Sequence, residues 1–224
     1  DFLAKEDKTV SGYKDLDELS KIDFLDNLKG KITPDEFENE DIKIVLPKGT
    51  LYSDLNFIYK KLPNSSTHQI QNRLTPLHNG FELSIKADSS ILKHQTKALI
   101  VNSNGASQGG YYENGYVKTV ARTFGNFYIA IDTIAPRISP VNISEGKSMA
   151  GLSKIILKIS DNLSGIKSFN GYIDGKWALM EFDTKTSTLW HSFDERTASG
   201  KHTLELVVAD VKENIRKYTV TFIR

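Results

Sequence analysis

The five histidines are the first residues to consider for metal chemistry, because histidine is the commonest ligand of catalytic zinc. They are His68, His78, His94, His191 and His202. None lies two, three or four residues from another, so the sequence holds neither H-E-x-x-H nor H-x-H. Glu82 and Glu195 stand four residues after His78 and His191, and four residues along a strand span about 13 Å, too far for one zinc ion. Together with the absence of cysteine, this pattern argues against a zinc site and thiol chemistry.

A Gly-x-Ser-x-Gly pattern at residues 105–109 matches the motif that places the serine of α/β-hydrolases on a strand-to-helix turn. A strand-like run at residues 98–101 precedes it, as that turn requires. Residues 110–115, which follow, are poor helix formers and do not supply the helix N-terminus that stabilises an oxyanion. The pattern therefore favours a hairpin loop around Ser107. A serine hydrolase is the weaker alternative, and it predicts labelling by a fluorophosphonate probe.

Acidic and amide side chains at predicted turns carry the oxygen ligands that Ca²⁺ prefers. They are Asp161, Asn162, Asp174 and Asp210. Their spacing fits no calcium-loop template, and Asp and Asn are frequent turn residues because their side chains bond to the nearby backbone. We therefore interpret them as turn residues. The sequence predicts no catalytic residue, no metal ligand and no cofactor in this chain.

Aromatic side chains give the clearest binding signal in the sequence. The candidate ligand-binding residues are Tyr111, Tyr112, Tyr116, Trp177 and Trp190. The tyrosines flank a glycine-rich loop, the tryptophans lie on neighbouring predicted strands, and flat rings on an exposed sheet face can stack on sugars or peptides. Core packing is the competing interpretation, and it is favoured for Trp177, which follows a hairpin turn and alternates with Leu179.

Charge and hydropathy exclude several classes of function. The chain has 29 Lys and Arg against 28 Asp and Glu, a net charge of +1. The basic residues are scattered singly, so the basic stripe of a nucleic-acid-binding protein is missing. Apolar runs are only a few residues long, far short of the roughly 20 that a transmembrane helix needs. We expect no nucleic-acid partner and no transmembrane segment.

The first 40 residues differ in pattern from the rest. Leucine or isoleucine recurs every third residue from Leu16 to Leu28, and Gly30 stands where a C-terminal cap would fall, which predicts a helix over residues 14–29. A capping box at residues 33–36 then predicts a short helical turn. The chain begins at Asp1 with neither an initiator Met nor a leader, so we expect a processed protein or a piece of a longer one.

From residue 41 onward the hydrophobic period changes from three to two, which indicates strands. No helical window separates the strands, so a parallel sheet is disfavoured. Asp174 and Gly175 predict a two-residue type I′ hairpin, and a proline-containing stretch at residues 132–140 marks a boundary. The sequence predicts an all-β protein with two tandem immunoglobulin-like antiparallel β-sandwiches, residues 41–133 and 134–224, after a short, partly helical N-terminal segment, residues 1–40.

Turn and linker motifs recur along residues 41–224 in a characteristic order. They are LPKGTLY at 46–52, TPLH at 75–78, ARTFGNFY at 121–128, IDTIAP at 131–136, SDNLSGI at 160–166, YIDGKW at 172–177, GKH at 200–202 and AD at 209–210. In this order they resemble the C-terminal all-β region of secreted lysostaphin-type (LytM-like) zinc endopeptidases of Gram-negative bacteria. Residues 1–40 do not match, and VKEN at 211–214 departs from the Gly-Asn turn that such modules often show.

The resemblance implies a peptidoglycan-directed hydrolase whose separate, upstream catalytic domain carries an H-x-x-x-D pair and an H-x-H motif. Neither motif occurs in this chain. The leading hypothesis is therefore a non-catalytic accessory region that targets or positions a zinc endopeptidase on peptidoglycan, in the periplasm, at the outer membrane or outside the cell. The alternative is a freestanding cell-surface adhesion or carbohydrate-binding protein with a lipid anchor.

Overall fold

The computed structural model describes residues 9–10, 30–33 and 35–224. The chain divides into two compact units, Asp1–Ile131 and Asp132–Arg224. The strands of the first unit are β1 Thr9–Val10, β2 Gly30–Thr33, β3 Glu36–Asn39, β4 Ile42–Val45, β5 Leu55–Asn56, β6 Tyr59–Lys61, β7 His68–Ile70, β8 Phe81–Lys86, β9 Ala98–Asn102, β10 Tyr111–Glu113, β11 Tyr116–Ala121 and β12 Gly125–Ile131. One short helix, α1 Ser89–Leu92, and a 3₁₀ turn, Gln95–Lys97, precede β9.

Two antiparallel sheets enclose the core of the first unit. One has six strands in the order β10-β11-β8-β4-β3-β2 and the other has four in the order β6-β7-β12-β9, while β1 pairs with β5. Alternate residues of β4 and β8 are buried, as the period of two requires. Phe37, Phe81 and Ile44 from the larger sheet and Ile70 and Phe127 from the smaller one belong to one hydrophobic cluster.

One expectation for the N-terminal segment is wrong, and another concerns residues that the structure does not describe. The helical turn expected at residues 33–36 is wrong, because β2 and β3 form an antiparallel hairpin in which Ile32 pairs with Phe37. Phe37 is buried against the rings of Phe57 and Tyr59, so tertiary packing overrides the local capping signal. The hairpin extends the sheet through β4. The helix predicted over residues 14–29 lies outside the described residues.

The second unit is an immunoglobulin-like β-sandwich. Its strands are β13 Arg137–Pro140, β14 Lys147–Ser148, β15 Lys154–Ser160, β16 Ile166–Ile173, β17 Lys176–Ala178, β18 Glu181–Asp183, β19 Thr188–Ser192, β20 Lys201–Asp210 and β21 Ile215–Ile223. They form a four-stranded sheet, β13-β15-β19-β18, and a five-stranded sheet, β14-β21-β20-β16-β17. Inward residues of both sheets, such as Leu157, Leu189, Leu206 and Phe222, share one core. The all-β fold class is therefore confirmed.

The hairpin between β16 and β17 is confirmed at the predicted residues. Asp174 and Gly175 have φ angles of 50° and 75°, which is the left-handed conformation that a type I′ turn requires at both central positions. The side chain of Asp174 also binds β20, since its Oδ1 accepts from the Thr203 amide at 2.8 Å. The turn therefore fixes the register of the five-stranded sheet at this edge.

Candidate functional site

The outer face of the six-stranded sheet carries two of the predicted tyrosines. Tyr111 of β10 pairs with Lys118 of β11, which pairs in turn with Ser84 of β8. The neighbouring register row, which includes Val117 and Ile85, is buried in the core. Since alternate residues of a strand point to opposite faces, the Tyr111 row faces outward. Tyr116 lies two residues before Lys118 and shares this face.

A shallow groove opens beside Tyr111 on this face. It is lined by Glu82, Ser84, Gly110, Tyr111, Lys118, Thr119 and Val120. The Tyr111 side chain is 58% exposed, as is Val120, so the groove offers an aromatic and an aliphatic surface beside polar groups. At its edge, the Lys118 ammonium lies 2.6 Å from the Glu113 carboxylate, which raises the pKa of Lys118. We call this surface, with Tyr116, the tyrosine face.

Tyr112 is not part of the tyrosine face. It pairs with Val117 and packs, partly buried, against the core of the first unit. The alternation of β10 separates it from Tyr111 by one residue and therefore by one sheet face. The sequence pattern groups the three tyrosines together, but the register places only Tyr111 and Tyr116 on the outward face, where Tyr111 is exposed and Tyr116 is half-buried.

Gly110 allows β10 to reach this sheet. Its φ angle is +116°, and a Cβ atom there would lie 2.7 Å from the backbone oxygen of Lys118. A side chain would thus meet backbone rather than a flexible group, and it would need a conformation that L residues rarely adopt.

Gly110→Ala is expected to lower the free energy of unfolding by about 2–3 kcal/mol, because it adds a backbone clash to positive-φ strain. Gly105→Ala is the matched control, since Gly105 also has a positive φ, +75°, but within the described part of the chain a Cβ atom there would meet nothing within 4 Å beyond its two chain neighbours. Urea denaturation followed by circular dichroism compares the two variants. Equal losses of stability would show that the contact with β11 does not constrain Gly110.

Trp177 lies on the outside of the second unit, and its assignment to the core is wrong. Its side chain is 57% exposed on β17, opposite Tyr172 of β16. The side chains alternate between the two faces as predicted, but the buried residues are Ala178 and Met180 instead of Trp177 and Leu179. Gly171 leaves the space that Met180 fills, since a Cβ there would lie 2.6 Å from the Met180 sulfur.

Trp190 belongs to the other sheet of the sandwich. It lies on β19, between Ile156 of β15 and Glu181 of β18. Its strand neighbours Leu189 and His191 are buried, so Trp190 points outward, where the Lys154 ammonium lies 5.6 Å from its ring centroid. The two tryptophans therefore occupy different sheets and do not form the single platform that neighbouring strands would have provided.

The loop around Ser107 leads into strand β10 rather than into a helix. The hydroxyl of Ser107 accepts a hydrogen bond from the Gly109 amide at 3.1 Å, and residue 107 forms an isolated bridge with Val101. A nucleophile elbow needs a helix after the serine. The hairpin-loop interpretation of this motif is therefore confirmed.

Two histidines are held by well-defined partners. His68 is buried, and its Nδ1 lies 2.9 Å from the Tyr59 hydroxyl. Burial raises the pKa of Tyr59 to about 12 and lowers the pKa of His68 to about 4. His202 lies between the Asp174 carboxylate, 2.6 Å from Nδ1, and the Ala198 carbonyl, 2.8 Å from Nε2. Two acceptors favour the doubly protonated ring, and Asp174 raises the pKa of His202.

Comparison with known proteins adds a likeness for part of the chain. Residues 32–132, which include the tyrosine face, match the family model described as Zu5-like domain. No curated protein matches the sequence. One solved structure, from work on Clostridium thermocellum CbhA fibronectin(III)-like modules, is 12% identical, with a TM-score of 0.32 over 65% of this chain and 85% of that one. Among the described residues, no helix has the length and apolar character to cross a bilayer.

Proposed function

We propose that this chain is a non-catalytic module that binds cell-wall glycan through the tyrosine face and holds a lysostaphin-type zinc endopeptidase against peptidoglycan. The observation that carries the glycan-binding part is the placement of Tyr111 and Tyr116 on one outward sheet face, with Tyr111 at a groove. Exposure of an aromatic ring to water is unfavourable in free energy. A planar ligand surface that stacks on the ring takes it out of water and removes this cost.

The polar groups of the groove suit a carbohydrate. Ser84 provides a hydroxyl, Glu82 a carboxylate and Lys118 an ammonium, so donors and acceptors surround the ring surface. Sugars present an apolar ring face bounded by hydroxyls, and this pattern complements a tyrosine flanked by such groups. The Lys118 and Glu113 pair at the edge suits the charged peptide stems of peptidoglycan.

The link to a peptidase is supported by the ordered motifs along residues 41–224. The catalytic ligand pairs of that family do not occur in this sequence, so the proposed role is targeting, and the catalytic domain is expected in another part of the same protein. This role implies a location outside the cytoplasm, where peptidoglycan lies.

Co-sedimentation with purified peptidoglycan sacculi tests the proposal. The wild-type chain is expected to be retained, and the double variant Tyr111→Ala with Tyr116→Ala is expected to bind at least about tenfold more weakly, since truncating a central aromatic commonly costs more than about 1 kcal/mol. Tyr52→Ala is the matched control, because Tyr52 is also exposed but does not line the groove.

Two outcomes separate the parts of the proposal. If the wild-type chain is not retained on sacculi, targeting to peptidoglycan is wrong. If the wild-type chain does not bind sacculi but binds another surface polysaccharide, and the Tyr111→Ala, Tyr116→Ala double variant loses that binding, the alternative of a freestanding carbohydrate-binding protein is correct.

A further inference from the structure

Three aspartates from three separate segments meet in the second unit. Asp132 is the first residue of this unit, Asp161 follows β15 and Asp210 is the last residue of β20. One carboxylate oxygen from each lies within 4.8 Å of the others. Asp132 and Asp210 are 1% and 0% exposed. Burying a carboxylate is costly unless its charge is compensated, so this arrangement needs a physical reason.

Backbone and amide groups hold the three carboxylates in place. Asp132 accepts from the amides of Ile134 and Ser164, at 3.2 and 3.0 Å. Asp161 accepts through Oδ2 from Leu163 and Gly165, and Asp210 accepts from the backbone and side chain of Asn214. These donors are neutral. They fix the orientation of the carboxylates without cancelling their charge.

Among the described residues, one oxygen of the three carboxylates and one neighbouring hydroxyl have no hydrogen-bond partner. They are the Oδ1 atom of Asp161 and the Oγ atom of Ser164, each with less than 1 Å² of accessible surface. Ser164 adjoins the cluster, because its amide is bonded to Asp132. A buried polar atom without a partner costs about 1–3 kcal/mol. An unpaired carboxylate oxygen within the cluster and an unpaired hydroxyl beside it favour a bound group that attracts oxygen atoms.

We propose that Asp132, Asp161 and Asp210 bind a calcium ion, with Ser164 as an additional oxygen ligand. Ca²⁺ takes oxygen ligands at about 2.3–2.6 Å, so two oxygens on one ion lie no more than about 5 Å apart, and the cluster meets this limit. The all-oxygen donor set disfavours zinc. Because Mg²⁺ keeps several of its own waters and is usually held by one or two carboxylates, a set of three carboxylates favours Ca²⁺.

The test is thermal unfolding of the full chain with EDTA or with added CaCl₂, read by tryptophan fluorescence. Both tryptophans lie in the second unit, so this signal reports on the unit that holds the cluster. Calcium at about 100 times its dissociation constant is expected to raise the melting temperature by about 10 °C. Calorimetric titration of the wild-type chain with CaCl₂ is expected to give one ion per chain.

Asp161→Asn keeps the shape of the side chain and removes one charge, and it is expected to abolish the calcium-dependent shift. Asp194→Asn is the matched control in the same unit, because Asp194 pairs with Arg196 at the surface, and it is expected to keep the shift. The proposal is overturned if the wild-type chain binds no Ca²⁺ in the titration, if Asp161→Asn responds like the wild type, or if MgCl₂ stabilises more than CaCl₂. The calcium titration of the wild-type chain tests the proposal even if a variant fails to fold.

Discussion

Replacing Phe81 by alanine is expected to lower the free energy of unfolding of the first unit by about 3–5 kcal/mol. Phe81 is fully buried at the start of β8, and its ring centroid lies 5.1 Å from that of Phe124 and 6.4 Å from that of Phe127. Phe127 belongs to β12 of the smaller sheet, so Phe81 packs across the interface of the two sheets. Truncation removes both ring contacts and leaves a cavity.

Guanidinium denaturation followed by far-UV circular dichroism measures this loss. Tryptophan fluorescence serves as a separate signal for the second unit, because the first unit contains no tryptophan. Phe81→Leu is the conservative control, expected to cost about 1 kcal/mol since much of the volume is kept. A wild-type denaturation midpoint for Phe81→Ala would contradict the packing between the two sheets.

Acidification from pH 6.5 to pH 4 is expected to cost the first unit about 3 kcal/mol through His68. The ring is 3% exposed beside the Tyr59 hydroxyl. Burial, with a smaller effect of Lys61, lowers its pKa from 6.5 to about 4. Between these values the unfolded chain binds a proton at His68 and the folded chain does not. Stability therefore falls as the pH falls through this window, by up to about 1.4 kcal/mol per pH unit.

Denaturation midpoints measured at several pH values between about 4 and 7 check this expectation, and His68→Gln is expected to flatten the dependence because glutamine does not titrate. His202 does not compensate in this window. Its pKa is raised by Asp174, so its contribution is complete below the unfolded value of about 6.5 and is lost as the pH rises through the folded value. A wild-type stability that is constant across the acid range would contradict the burial of a neutral His68.

The strands and the β16 to β17 hairpin could be predicted because they depend on local signals. A period of two requires only that alternate residues enter a core, and the pair Asp174 and Gly175 fits a turn with two positive φ angles. The strand at residues 36–39 could not be predicted in this way. The capping signal there is local, whereas the burial of Phe37 depends on Phe57 and Tyr59, which lie far along the chain.

The positions of the candidate binding residues also depend on contacts between strands, which the local sequence does not reveal. The alternation around Trp177 has the predicted period, but its phase depends on Gly171 making room for Met180, a contact across the sheet and not along the chain. Likewise, Tyr111 and Tyr112 are separated by the register of β10 with β11.

The aspartate cluster also could not be predicted from the sequence, because its residues come together only in the folded chain. Nothing in the sequence marks Asp132 as an ion ligand, because it stands in a proline-containing linker with no other acidic residue beside it. Only the fold brings it to Asp161 and Asp210.

The central claim is that the tyrosine face binds cell-wall glycan, and a ¹⁵N NMR titration with soluble peptidoglycan fragments tests it most directly. We expect saturable shifts of the backbone amides to concentrate on β8, β10 and β11 around Tyr111 and Lys118, and to disappear in the Tyr111→Ala, Tyr116→Ala double variant. Shifts confined to other strands, or no shifts at millimolar fragment concentration, would contradict glycan binding at this face.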